Sequence, residues 1–144
     1  MKSADPRVQR IIERFESLTV ADVPALAEMY TADATFKDPF NEVRGKAAIL
    51  RIFEHMFETL RAPRFSIQGA VVQGEQCFLT WDFSFRRGAA ELVVRGASHL
   101  RLSSDGRIAM HRDYWDAAEE LYEKLPVLGT LMRALRRRLA AVAA

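Results

Sequence analysis

The 144-residue chain has a single cysteine, Cys77, and no apolar run that approaches the 18 residues of a membrane-spanning helix. A disulfide framework is therefore excluded, and we expect a reducing, cytoplasmic location. The first residues carry charges every few positions and lack the apolar segment of a secretory signal peptide. A net charge of +2 is too small to indicate a nucleic-acid partner.

Motifs for bound groups are missing as well. The chain has no glycine-rich phosphate loop and no dinucleotide-binding fingerprint. Its three histidines, His55, His99 and His111, lack the spacing of metal sites. We therefore expect no cofactor and no metal. With 49% hydrophobic and 28% charged residues, the composition predicts one globular domain over residues 1–144.

Hydrophobic periodicity predicts the order helix, helix, strand, helix, four strands, helix. The predicted helices are one that begins at Asp5-Pro6, one at 23–30 and one at 46–60. The predicted strands cover 34–38, 65–72, 77–85, 91–102 and 107–116, and residues 40–45 are predicted to form a loop. Helices gathered before a run of hairpin-linked strands favour an α+β fold with a curved antiparallel sheet.

The predicted strand at 107–116 contains the most unusual side chains. Alternation along a strand puts His111, Asp113 and Trp115 on one face, with neighbours roughly 6.5–7 Å apart. An imidazole, a carboxylate and an indole in a row can form a polar spot in an apolar cavity. This pattern predicts a pocket protein without identifying its ligand.

After Asp116 the pattern returns to helix, with a short helix predicted at 117–124 and a final one at 126–142. Leucines line one face of the final helix, and arginines surround them. The residues of that face include Leu128, Leu131, Leu135 and Leu139. We expect these leucines to pack on the rest of the domain and narrow the pocket mouth. The alternative is contact with a membrane surface or a partner.

Several segments resemble the ketosteroid isomerase branch of the nuclear transport factor 2-like superfamily. They are Val8-Gln9-Arg10, Ala34-Thr35-Phe36-Lys37-Asp38-Pro39, Gly45-Lys46-Ala47-Ala48-Ile49, Ser98-His99-Leu100-Arg101-Leu102 and Asp105-Gly106-Arg107-Ile108. The ending His111-Arg112-Asp113-Tyr114-Trp115-Asp116 is similar to SnoaL-like proteins of that superfamily. The likeness covers residues 7–116 and leaves a C-terminal helical extension at 117–144. It implies a cone-shaped sheet wrapped around helices, an internal pocket, and a homodimer formed through the outer face of the sheet.

The resemblance also implies a general base at Asp38, in Lys37-Asp38-Pro39. The tyrosine and aspartate that complete a ketosteroid isomerase site are replaced here by Ile11 and Ser98. Because these donors stabilise the enolate, we do not expect steroid isomerisation. His111 and Asp113 add polar groups to another wall of the implied pocket, which indicates a different substrate or reaction.

We therefore predict Asp38, His111 and Asp113 as catalytic residues, with Phe36, Phe53, Ser98 and Trp115 contacting a small apolar organic ligand. Asp38 or Asp113 would act as base, with His111 as its proton-exchange partner. Alternatively, Asp38 accepts backbone N–H groups of its own loop, and His111 and Asp113 form a buried polar pair. Two functions remain open: a cofactor-independent isomerase, cyclase or hydratase, and a non-catalytic ligand-binding or protein-interaction module.

Overall fold

A computed structural model describes residues 1–121 and 126–141 of the chain. Its helices are α1 (Pro6–Glu16), a 3₁₀ helix (Val20–Met29), α2 (Lys46–Thr59), α3 (Ala117–Glu120) and α4 (Pro126–Leu139). Its strands are β1 (Tyr30–Lys37), β2 (Glu42–Arg44), β3 (Arg61–Gln73), β4 (Gln76–Arg87), β5 (Ala90–Leu102) and β6 (Ile108–Tyr114). The element order confirms the predicted α+β class.

The six strands form one curved sheet in the order β2-β1-β6-β5-β4-β3. Strands β3 to β6 pair with their sequence neighbours in antiparallel fashion, as predicted. The expectation of a wholly antiparallel sheet is wrong, because β1 pairs with β6 in parallel. No hairpin joins these two strands, so their relative direction depends on long-range packing rather than on a local turn.

Helix α1 begins where the sequence predicts it. Asp5 accepts a hydrogen bond from the Arg7 backbone N–H, and Pro6 occupies the first turn, where a missing N–H costs nothing. The apolar stripe of α1 is buried against the inner face of the sheet. This stripe consists of Val8, Ile11, Ile12 and Phe15.

Three boundaries differ from the predictions. The second helix is a 3₁₀ helix that ends at Met29, so Tyr30 opens β1 instead of closing a helix. The predicted loop at 40–45 contains the short strand β2. Strand β3 already begins at Arg61, where the sequence predicted only a stop. A shift in register before Arg64 and the edge position of β3 accommodate Pro63.

The core lies between the inner face of the sheet and the N-terminal helices. Along β4, Cys77, Leu79 and Trp81 are buried, whereas Phe78 between them is 48% exposed, which agrees with the predicted alternation. Helix α2 contributes Ile49 and Phe53 to the same core. This packing gives the sheet one apolar inner face and one outer face that is partly open.

The leucines of α4 do not pack as predicted. Leu128, Leu131, Leu135 and Leu139 are all exposed, so the expectation that they pack on the domain and narrow a pocket mouth is wrong. The inner face of the sheet is already covered by α1, the 3₁₀ helix and α2, which leaves little apolar surface for a further helix. Both helices end earlier than predicted: Leu121 is a turn residue after α3, and α4 ends at Leu139, before Ala140 and Ala141. The other predicted helical residues, 122–124 and Val142, lie outside the described residues. Within residues 1–121 and 126–141, no helix combines the length and hydropathy needed to cross a bilayer.

Candidate functional site

His111 lies at the centre of the inner face, on β6, with 5% of its surface exposed. Aromatic rings surround its imidazole. The ring centroid of Phe36 lies 4.7 Å away, that of Phe15 lies 5.9 Å away, and the Tyr30 ring stacks on it at 6.1 Å. A polar ring in such apolar surroundings needs hydrogen-bond partners for both of its nitrogens.

Both partners are present, in a connected set that we call the buried polar chain: Tyr30, His111, Asp113, Ser98 and Trp81. The Tyr30 hydroxyl lies 2.8 Å from His111 Nδ1, and His111 Nε2 lies 2.7 Å from Asp113 Oδ1. Ser98 Oγ donates to the same Asp113 oxygen at 2.5 Å, and Trp81 Nε1 donates to Ser98 Oγ at 2.9 Å. The chain thus joins strands β1, β6, β5 and β4.

The strand register explains this arrangement. Ser98 on β5 lies directly opposite Asp113 on β6, so their side chains meet on the inner face. Trp81 on β4 pairs with Gly96, and its indole extends diagonally towards Ser98. A Cβ atom at Gly96 would lie only 2.4 Å from the Trp81 ring. The absence of a side chain at Gly96 therefore leaves the space that the indole occupies.

Burial and the charge of Asp113 determine the proton positions. Burial, followed by the nearby Asp113 carboxylate, raises the pKa of Tyr30 well above its ordinary value, so the phenol stays protonated. A carboxylate only accepts hydrogen bonds, so His111 Nε2 donates its proton to Asp113. In a neutral imidazole, Nδ1 then accepts the Tyr30 hydroxyl proton.

Asp113 also borders two different spaces. Towards the interior it lines a cavity of about 20 Å³, room for about one water molecule. The walls of this interior cavity are mostly apolar: Phe15, Phe53, Phe65, Ile67, Leu79, Trp81 and Leu100, with Ser98 and His111 beside Asp113. Towards the outside, Asp113 lines an open depression of about 520 Å³. This outer depression is bounded by Lys37, Asp38, Pro39, Arg112, Asp113, Tyr114, Trp115 and Asp116.

The predicted site residues separate into two groups. Ser98, His111, Asp113 and Phe53 line the interior cavity, and the Phe36 ring packs on His111. Asp38 and Trp115 lie instead at the outer depression, which they share with Asp113. Trp115 packs edge to face against Phe40, with ring centroids 5.5 Å apart. Asp113 is thus the predicted residue common to both spaces.

Asp38 follows β1 and organises its own loop. One carboxylate oxygen accepts the backbone N–H groups of Phe40 at 2.8 Å and Asn41 at 2.6 Å. The Asn41 side-chain amide donates to both oxygens of Asp38. These contacts match the loop-closing alternative predicted for this carboxylate, and they leave Asp38 at the rim of the outer depression.

Two members of the buried polar chain were missing from the predicted site. They are Tyr30, which opens β1, and Trp81, which lies on β4. One chemical signal could have identified both residues from the sequence: a buried phenol or indole usually has a hydrogen-bond partner, so an inward-facing Tyr or Trp indicates a polar group nearby. Among the described residues, no three His, Cys, Asp or Glu side chains converge.

Known proteins match this chain in two ways, through a family model of its sequence and through the fold of solved structures. The family model of the SnoaL-like domain matches residues 8–111. A protein from Catenulispora acidiphila with a ketosteroid isomerase-like fold, solved with trimethylamine, is 16% identical, with 83% of this chain and 92% of that chain covered and a TM-score of 0.71. No curated protein sequence matches the chain.

Two further structures are described as enzymes. A candidate SnoaL-like polyketide cyclase from Shewanella putrefaciens is 18% identical, with 83% of this chain and 87% of that chain covered and a TM-score of 0.67. An LEH-like epoxide hydrolase from M. tuberculosis is 16% identical, with 92% of each chain covered and a TM-score of 0.64. At these identities, the structural similarity shows a common fold.

Proposed function

The chain belongs to the SnoaL-like domain family, and on this premise we propose that it is a cofactor-independent enzyme that moves a proton on a small organic molecule. The reaction class is isomerisation, cyclisation or hydration. The proposal rests on one observation: Asp113 lies between the interior cavity and the outer depression, with one of its oxygens held by two donors.

Asp113 is the proposed general base. Its Oδ1 accepts hydrogen bonds from His111 and Ser98, which fix the orientation of the carboxylate. Among the described residues, no hydrogen bond occupies Oδ2, so this oxygen is available to a substrate proton. His111 uses both nitrogens within the buried polar chain, and we assign it to orient Asp113 and share its charge.

The substrate is proposed to bind in the outer depression. The interior cavity admits only a water-sized group, whereas the outer depression has the volume of a small organic molecule. Trp115 supplies an apolar wall there, and Asp38 provides a polar contact at the rim. The candidate polyketide cyclase and the epoxide hydrolase that share the fold favour enzymatic action on an organic substrate.

Substitution of the two carboxylates tests the proposal. Small epoxides, β,γ-unsaturated ketones and polyketide-like diketones are assayed for turnover without added cofactor. Asp113→Asn should lower kcat at least ~100-fold, as loss of a general base does. Asp38→Asn should mainly raise KM. Asp33→Asn, at an exposed position of β1, is the matched control. Full turnover by a folded Asp113→Asn variant would exclude Asp113 as the base.

A second candidate is binding of a small organic cation without reaction. Asp38, Asp113 and Asp116 line the outer depression together with Trp115, and cations favour carboxylates beside an indole. A relative with this fold was solved with trimethylamine. Titration with tetramethylammonium, followed by tryptophan fluorescence, distinguishes the functions: saturable binding that Asp113→Asn removes, without turnover of any compound, supports the binding module.

We also propose that the protein is a homodimer. A row of paired residues crosses the outer face of the sheet from β3 to β6: Val71, Phe78, His99 and Arg112. Val71 is 67% exposed, and the Phe78 ring stacks on His99 at 4.3 Å. Apolar and aromatic side chains at the centre of a sheet face are typical of a subunit interface.

A further inference from the structure

Helix α4 differs in chemistry from the rest of the chain. Its 14 residues contain four arginines, Arg133, Arg136, Arg137 and Arg138, and no acidic residue. The helix therefore has four positive charges, whereas the whole chain has a net charge of only +2. Three of these arginines lie in its last turn, where cations interact favourably with the helix dipole.

The apolar face of α4 is open to solvent. Leu128 is 37% exposed, Leu131 56%, Leu135 43% and Leu139 84%. At about 100° per residue these leucines occupy one stripe of about 80° along the helix. We call it the leucine stripe. An exposed apolar stripe of this length marks an interaction surface.

Two arginines flank the leucine stripe and two lie behind it. At the same angular spacing, Arg138 lies about 20° beyond the Leu131 edge and Arg136 about 60° beyond the Leu139 edge, while Arg133 and Arg137 lie on the opposite face. Long arginine side chains at the borders of an apolar stripe can cover it with their methylene groups and extend the guanidinium towards anionic headgroups.

We propose that α4 binds in the plane of an anionic lipid surface, with the leucine stripe inserted and the flanking Arg136 and Arg138 at the level of the phosphates. A helix about 21 Å long is shorter than the roughly 30 Å hydrocarbon core, so it lies along the surface rather than across it. Positive charge at both borders matches a surface that is negative on both sides of the helix, as a lipid headgroup layer is.

Vesicle flotation of the full-length protein tests this proposal. The probes are vesicles of phosphatidylcholine alone and vesicles with about one third phosphatidylserine, at about 0.1 M NaCl. The protein should float with the anionic vesicles only, and about 0.5 M NaCl should weaken that binding at least tenfold. Arg136→Gln with Arg138→Gln should lower the affinity about 25-fold, at roughly fivefold for each arginine. Leu131→Gln with Leu135→Gln should lower it at least tenfold.

Matched variants control for charge and hydrophobicity elsewhere on the surface. Arg86→Gln with Arg87→Gln removes the same charge at the exposed end of β4 and should leave vesicle binding unchanged. Val20→Gln removes an exposed apolar side chain outside α4 and should likewise leave vesicle binding unchanged. The proposal would be overturned if the protein floated equally with both vesicle types. It would also be overturned if the β4 variant lost as much vesicle binding as the α4 arginine variant. A third outcome combines two results: the protein does not float with either vesicle type, and it is a dimer that Leu131→Gln with Leu135→Gln converts to monomer. This outcome would overturn the lipid proposal and assign the leucine stripe to contact with a second copy of the chain.

Discussion

The Tyr30 hydroxyl gives the buried polar chain its direction. Burial keeps the phenol protonated, so it donates to His111 Nδ1 and leaves the other imidazole nitrogen to donate to Asp113. Without that hydroxyl, His111 Nδ1 would be a buried acceptor with no donor. We infer that Tyr30 is a positioning residue for Asp113 rather than a group that contacts substrate.

Removal of this hydroxyl should therefore be costly. Tyr30→Phe should lower the free energy of unfolding by about 1–3 kcal/mol, because it leaves the buried His111 Nδ1 without a donor. Urea unfolding measures the change. Tyr114→Phe is the matched control. Tyr114 is half exposed, so removal of its hydroxyl should change the free energy of unfolding little. Equal stabilities of the wild type and the Tyr30→Phe variant would mean that the hydrogen bond contributes nothing net.

At the scale of elements, β5 positions the site through one small residue. Gly96 faces Trp81 across the β4–β5 pair, and the indole fills the volume that a side chain would take. That position brings the Trp81 N–H to Ser98, which in turn holds Asp113. The requirement at Gly96 is steric, because its backbone does not have the positive φ found at the turn glycines.

Gly96→Ala should consequently destabilise the protein by about 1–3 kcal/mol through overpacking against Trp81. It should also alter the tryptophan near-ultraviolet circular dichroism, since the indole has to move. Gly69→Ala on β3 is the control: its added Cβ would lie 3.3 Å from the Thr80 side chain, a contact that a small shift relieves. A stable Gly96→Ala variant with an unchanged tryptophan spectrum would contradict this account of the indole position.

For the whole molecule, the outer face of the sheet is the surface of the proposed dimer. A stable interface buries roughly 800 Å² on each partner, and a face of four long strands can supply that area. On this face Arg112 also lies over the Tyr114 ring, at 4.6 Å from its centroid, which extends the aromatic surface towards the outer depression. A partner copy placed here would border the proposed substrate site.

Phe78→Glu should convert the proposed dimer to monomer, because it places charges at the centre of the interface. Light scattering at tens of micromolar, a concentration well above ordinary dimer dissociation constants, measures the mass. Val20→Glu is the control, because this exposed apolar residue lies on the 3₁₀ helix, away from the sheet. A wild-type protein that stays monomeric would exclude the dimer. A Phe78→Glu variant that remains dimeric would mean that the interface lies elsewhere.

The sequence by itself determined the features that follow from local periodicity. Strand alternation placed His111 and Asp113 on one face, and the two side chains are hydrogen-bonded on the inner face of β6. The Asp5-Pro6 start of α1 and the start of α2 at Lys46 depend only on neighbouring residues and were predicted correctly. The α+β class followed from element order alone.

The tertiary structure decided what depends on residues far apart in the chain. The parallel pairing of β1 with β6 brings Tyr30 to His111, 81 positions away, and the β5–β6 register brings Ser98 to Asp113. The hydrogen bonds around Asp38 separate it from the interior cavity, a choice that the sequence left open. Periodicity likewise shows that α4 has an apolar stripe. Whether this stripe is buried depends on whether the core has apolar surface left to cover it. The N-terminal helices already cover the inner face of the sheet, so the leucines of α4 are exposed.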